Sequence, residues 1–172
     1  ASLIQAKKYY EQSKELSEKI GDAFGLALAY QNIGSIEDRF GKYNESKKLY
    51  QKALVLYEEI QDPKSIANIL INLGIVHYNL KQYKEAEKYL LQAKEITAQY
   101  DFKILDKNIY KSLSDIYKST TDYKKAFEAQ EKYADLSLDL FTQDKSMEMG
   151  KLEGRHELEI QKAQEEFAAK EQ

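Results

Sequence analysis

A segment of about forty residues occurs three times along the chain, and that period limits the fold more than any other feature. Tyr30, Ile33, Gly34, Gly41, Tyr43, Ser46, Tyr50, Ala53 and Leu54 form the first set. Forty residues on stand Leu70, Leu73, Gly74, Lys81, Tyr83, Ala86, Leu90, Ala93 and Lys94. Forty further stand Tyr110, Leu113, Ser114, Thr121, Tyr123, Ala126, Gln130, Tyr133 and Ala134. A fixed period in this range means stacked supersecondary units, none of which can bury its apolar face alone.

Apolar residues within each unit follow the helical rhythm of i, i+3, i+4 and i+7. Ile66, Leu70, Leu73 and Val76 line one stripe; Tyr83, Ala86, Leu90 and Ala93 line the next. With one Pro and seven Gly in 172 residues, long helices and short turns are expected. Asp22, Asp62 before Pro63, Asp101 and Asp122 each precede a periodic run and can cap a helix start. The predicted A helices span 23–39, 63–79 and 103–119. The B helices span 43–59, 83–99 and 123–140, with an orphan B helix at 3–20. Gly34 and Gly74 fall in mid-helix, where Gly costs about 1 kcal/mol relative to Ala. A close helix–helix approach accounts for that cost.

These residues resemble the tetratricopeptide repeat (TPR) in a forty-residue form. YQNIG…GKYNESKKLYQKAL and LINLG…KQYKEAEKYLLQA carry the pattern well, and YKSLSDIYKSTTDYKKAFEA carries it more loosely. The departures are Ser114 for Gly, Lys81 and Thr121 for the turn Gly, Glu37 and His77 at the inner aromatic, and Ser46 for the first Ala. The resemblance implies an all-α right-handed superhelix of helix-turn-helix repeats, about three full and one partial at the N-terminus, followed by a long C-terminal helix. Residues 1–141 form the solenoid and 142–172 a charged tail.

The tail, LFTQDKSMEMGKLEGRHELEIQKAQEEFAAKEQ, has a sparse stripe at Met149, Leu152, His156, Ile160, Ala163 and Phe167. Two readings stand: a helix that pairs with another through a narrow seam, giving a homodimer or coiled coil, or a solvated helix end. The chain opens on what reads as the second helix of a repeat and closes inside a charged run, so a fragment of a larger protein is expected. The order of repeats and charged helix resembles the sensor region of Bacteroidetes-type signalling proteins. There the repeats precede a charged helix, commonly a membrane span, and then a histidine kinase, nucleotide cyclase or DNA-binding output domain.

Chemistry within the chain itself is not expected. There is no Cys, no Gly-rich phosphate loop, no HExxH and no EF-hand pattern, so neither metal nor cofactor is implied. His77 reads as a packed residue. His156 sits in RHELE without the Pro that ends a phospho-accepting box. The net charge of −3 does not suggest nucleic acid, and membrane contact is expected only through the parent. A cysteine-free chain fits cytoplasm or periplasm alike.

The expected site is instead the concave face of the A helices. Aligning Gly34, Gly74 and Ser114 places Gln31, Asn32, Ser35 and Arg39 there, then Asn68, Ile71, Asn72, Ile75, Tyr78 and Asn79, then Asn108, Lys111 and Asp115. Five of the six asparagines fall in A helices, although Asn lies about 0.7 kcal/mol below Ala in helix propensity. A carboxamide donates and accepts, which suits a peptide backbone. The alternative is that these asparagines tie neighbouring A helices together. A non-catalytic module binding a protein or peptide is expected, as the sensor region of a signalling protein or as a stand-alone scaffold or co-chaperone.

Overall fold

The computed structural model describes residues 2–170, with side chains through Lys162. Seven α-helices and no strand occur among the described residues. They are α1 (Leu3–Ile20), α2 (Ala23–Arg39), α3 (Tyr43–Ile60), α4 (Pro63–Asn79), α5 (Tyr83–Tyr100), α6 (Lys103–Ser119) and α7 (Tyr123–Lys170). α2, α4 and α6 are the A helices, and α1, α3, α5 and the start of α7 are the B helices. The expected all-α architecture of consecutive helix pairs is what forms.

Every turn between helices is closed by one residue in the left-handed region, and these residues are twenty apart: Gly21, Gly41, Gln61, Lys81, Asp101 and Thr121, with φ from 53° to 74°. Only the first two are Gly; a side chain at such a φ costs roughly 1–2 kcal/mol. Asp22 then accepts from the Gly25 N–H at 2.9 Å, Asp62 from Lys64 and Ser65, and Asp122 from Lys125. Asp101 does not cap α6 as its sequence position suggests. It is itself the left-handed residue that ends α5, and Phe102, whose side chain has no acceptor to offer the helix, stands in the cap position.

The repeats pack through small residues. A Cβ on Gly74 would lie 2.8 Å from Leu90 Cγ, and one on Gly34 would lie 3.0 Å from the Tyr50 ring. These distances explain the mid-helix glycines: α4 and α5, like α2 and α3, meet too closely for a methyl group. Ser114 holds the third such place and donates to the Ala126 carbonyl at 3.1 Å. Ala27, Ala53, Ala67, Ala86 and Ala93 are fully buried along the repeats, with Tyr57, Ile69, Leu73, Leu90 and Ile109 as the large core side chains. Burial pushes the Tyr50 phenol up to about 12.

The chain divides into two compact units, Ala1–Tyr133 and Ala134–Gln172. The first holds the repeats. The helix expected over 123–140 does not stop there: α7 runs unbroken to Lys170, with no left-handed residue along it among those described. In the second unit every side chain from Phe141 to Lys162 is exposed, and Ala163 and Phe167 of the expected seam lie outside the described side chains.

Candidate functional site

α4 and α6 present their outward faces side by side and enclose a groove of about 390 Å³. Asn68, Ile71, Asn72, Ile75, Tyr78 and Asn79 line it from α4. Asn108, Lys111 and Asp115 line it from α6, together with Ser112. These positions recur every three or four residues, so one face of each helix supplies them. Ile71 and Ile116 are buried and form the apolar floor. Ile116 and Gly74 also line the groove. Sequence reasoning left both out of the site: it read Gly74 as a packing residue and did not single out Ile116.

Asn68 and Asn72 are half-buried and Asn108 is exposed. Their carboxamides engage no other side chain among the described residues. The other polar groups of the face are partly committed. Asn79 donates to Asp38 Oδ1 at 3.3 Å, which ties α4 to α2. Burial raises the Asp38 pKa above the ordinary carboxyl value, and the Asn79 hydrogen bond opposes that rise. Tyr78 Oη and Ser119 Oγ are 3.2 Å apart and link α4 to α6. Ser112 Oγ donates to the Asn108 carbonyl at 3.0 Å. Lys118 Nζ lies 3.9 Å from Asp115, so the charges near the groove largely offset one another.

The four residues expected from α2 do not line this groove. Gln31 instead accepts from the Tyr57 hydroxyl at 3.0 Å, so its amide serves a phenol that is 1% exposed. Asn32 is half-buried, and Ser35 and Arg39 are exposed on α2. The asparagine face therefore divides: Asn79 ties A helices together, while Asn68, Asn72 and Asn108 remain available.

His77 lies apart from the groove chemistry. It is 7% exposed, its ring lies 5.1 Å from that of Tyr89 at a tilt of 32°, and neither ring nitrogen has a hydrogen-bond partner. Burial lowers its pKa. No group of three or more His, Asp or Glu suited to a metal occurs among the described residues. No described helix is long and apolar enough to cross a membrane.

Solved structures with this helix-pair arrangement come from several settings. A signal-transduction ATPase with numerous domains and a tetratricopeptide repeat sensor, from Pyrococcus horikoshii, superposes with TM-score 0.73 at 26% identity, over 83% of this chain and 22% of that one. A Rap protein complexed with competence and sporulation factor gives TM-score 0.74 at 22% identity, over 80% and 38%. BtubC from P. vanneervenii gives 0.71 at 18%, over 80% and 57%. The chain thus spans less than two thirds of each of these proteins. No curated protein matches the chain. The tetratricopeptide repeat family matches residues 2–59 and 65–139. With that match over most of its length, and with helix pairs packed through Gly34, Gly74 and Ser114, the chain belongs to the tetratricopeptide repeat family and is a protein-interaction repeat module.

Proposed function

We propose that this module is the non-catalytic sensor or regulatory region of a bacterial signal-transduction protein, and that it binds an extended peptide or partner segment along the groove of α4 and α6. The observation that carries the reading is the row of uncommitted carboxamides, Asn68, Asn72 and Asn108, beside the apolar floor of Ile71, Ile75 and Ile116. An extended chain exposes a donor and an acceptor at every residue and advances about 3.3 Å per residue. Carboxamides on helices about 8–10 Å apart would meet it at intervals of roughly three residues. Apolar side chains between those contacts would rest on the isoleucines. Because Lys111 and Asp115 are both present, no strongly acidic or basic ligand is favoured.

The repeat sensor of the Pyrococcus horikoshii protein and the complex of the Rap protein with competence and sporulation factor support this reading. A kinase, cyclase or other output domain of the parent, and passage of a binding signal through the tail helix, belong to the same proposal. Peptides selected on the immobilised chain from a random extended-peptide library should lose binding to the Asn72→Ala/Asn108→Ala double variant by about tenfold or more, near 1.4 kcal/mol. Selected peptides that bind this variant as well as the parent chain would rule the groove out.

A further inference from the structure

Each B helix inside the array packs on two A helices. α3 meets α2 of its own repeat and α4 of the next, and α5 meets α4 and α6 in the same way. α1 packs on α2, which is the next-repeat contact, and no second A helix packs on it among the described residues. The face that an A helix of its own repeat would cover is open.

The forty-residue register identifies that face as Tyr9, Tyr10, Ser13 and Leu16. Their spacing puts them on one side of α1. Tyr10 corresponds to Tyr50 and Leu90, which are 3% and 0% exposed, and Ser13 to Ala53 and Ala93, which are fully buried. Leu16 corresponds to Leu56 and Ile96, which pack against the cores of their repeats. On α1 the same positions reach the surface. Tyr9 is 60% exposed and Leu16 59%, Ser13 is exposed and Tyr10 is half-buried.

The covered faces show what the occupant must carry. Tyr50 and Leu90 press on Gly34 and Gly74, where a Cβ would lie 3.0 Å from the Tyr50 ring and 2.8 Å from Leu90 Cγ. Ala27 and Ala67, seven residues ahead of those glycines on the same helix face, are fully buried in the same clusters as Tyr50 and Leu90. A helix laid on α1 therefore needs a very small residue against Tyr10 and a second small one seven positions earlier. The entry to α1 suits a covalent connection. Left-handed residues close the turns at 21, 41, 61, 81, 101 and 121, and one further step of the same period falls at position 1. Ser2 holds the cap that follows, accepting from the Gln5 N–H at 3.3 Å.

We propose that the open face of α1 receives an A-type helix supplied by the segment of a longer parent protein that immediately precedes Ser2, with a glycine or similarly small residue against Tyr10. The docking continues the α2–α3 and α4–α5 interfaces by one repeat. It rests on the repeat packing and stands apart from the groove of α4 and α6.

A chain with a second copy of residues 62–81 placed directly ahead of Ser2 tests it. The copy brings α4, its Asp62 cap and its Lys81 turn to the open face. This chain should melt about 5 °C or more above the unmodified one, and amide exchange along α1 should slow by about tenfold or more. Gly74→Leu in the added copy alone should abolish both gains. Tyr9→Ser/Leu16→Ser should melt within about 2 °C of the unmodified chain, because both side chains are exposed there, and should cancel the gain when the added helix is present. The same residues offered as a free peptide at about 100 µM should protect α1 far less, since tethering supplies a millimolar effective concentration. An added helix without gain, or an equal gain from the Gly74→Leu copy, overturns the docking face. A free peptide that protects α1 as fully as the fused copy assigns the face to a separate partner and overturns the covalent source.

Discussion

Lys7 Nζ lies 2.6 Å from Glu37 Oε1, joining α1 to the end of α2. The same two repeat positions, thirty residues apart, hold Lys47 with His77 and Glu87 with Tyr117. The same repeat position is thus treated three ways. Glu37 is ion-paired. Tyr117 donates to Glu87 at 2.7 Å. His77 has no partner for either nitrogen.

The ion pair should be asymmetric in its consequences. The Lys7 hydrogen bond holds the Glu37 carboxyl below its ordinary pKa, against the effect of burial. Lys7→Met leaves that carboxylate with only Lys42, 3.6 Å away. A loss of about 2 kcal/mol is expected, less than for a fully buried pair because Lys7 is partly exposed. The stability that Glu37 contributes is present above its unfolded pKa, near 4.5, and is lost as pH falls through the folded value. Urea titrations of both proteins at neutral pH and below pH 4 check the size and the sign.

His77 should make the fold weaken in mild acid. Its folded pKa is lowered, first by burial and further by Lys47, with Gln82 and Glu85 opposing. Above the ordinary value of 6.5 both states are neutral at this site. Below it the unfolded chain takes up the proton first, so stability falls as pH drops from there toward the folded value. His77→Phe removes two unpartnered nitrogens and the titration together. It should melt higher than the parent chain, and by a larger margin at about pH 5.5 than at about pH 7.5.

Thr121 is the least suited of the left-handed turn residues, because it is β-branched at φ 61°. Thr121→Gly should stabilise by about 1 kcal/mol, and Gly41→Ala should destabilise by a similar amount. Thermal melts should separate the two by about 4–8 °C in total.

Glycines in helices should respond according to their surroundings. Gly74→Ala places a methyl 2.8 Å from Leu90 Cγ and should cost about 2 kcal/mol. Gly150 and Gly154 have open space around them. Alanine at either should leave the melting of the repeats unchanged and raise helical circular dichroism, by about 1 kcal/mol of local helix propensity. A neutral Gly74→Ala would mean that α4 and α5 are not held as closely as described.

The sequence made the helices and turns legible because both obey short rules: the 3.6-residue stripe and a cap or turn residue every twenty positions. Asp101 misled because a cap and a left-handed turn favour the same residue type, and one position decides between them. The groove was legible on α4 and α6, where asparagines share a helix face. It was not legible on α2, since only the structure shows Gln31 bonded to the Tyr57 hydroxyl. The continuity of α7 was hidden by a change in composition near Phe141 that alters exposure without altering helicity.

The most direct test of the account is the side-chain amide spectrum of the asparagines during titration with a library-selected peptide. Six asparagines give a sparse set of NH₂ pairs that single substitutions can assign. The account predicts that the Asn68, Asn72 and Asn108 pairs shift in saturable fashion while Asn44, on α3, does not. Shifts confined to Asn44 or to residues outside α4 and α6, with those three carboxamides unmoved at saturation, would contradict it.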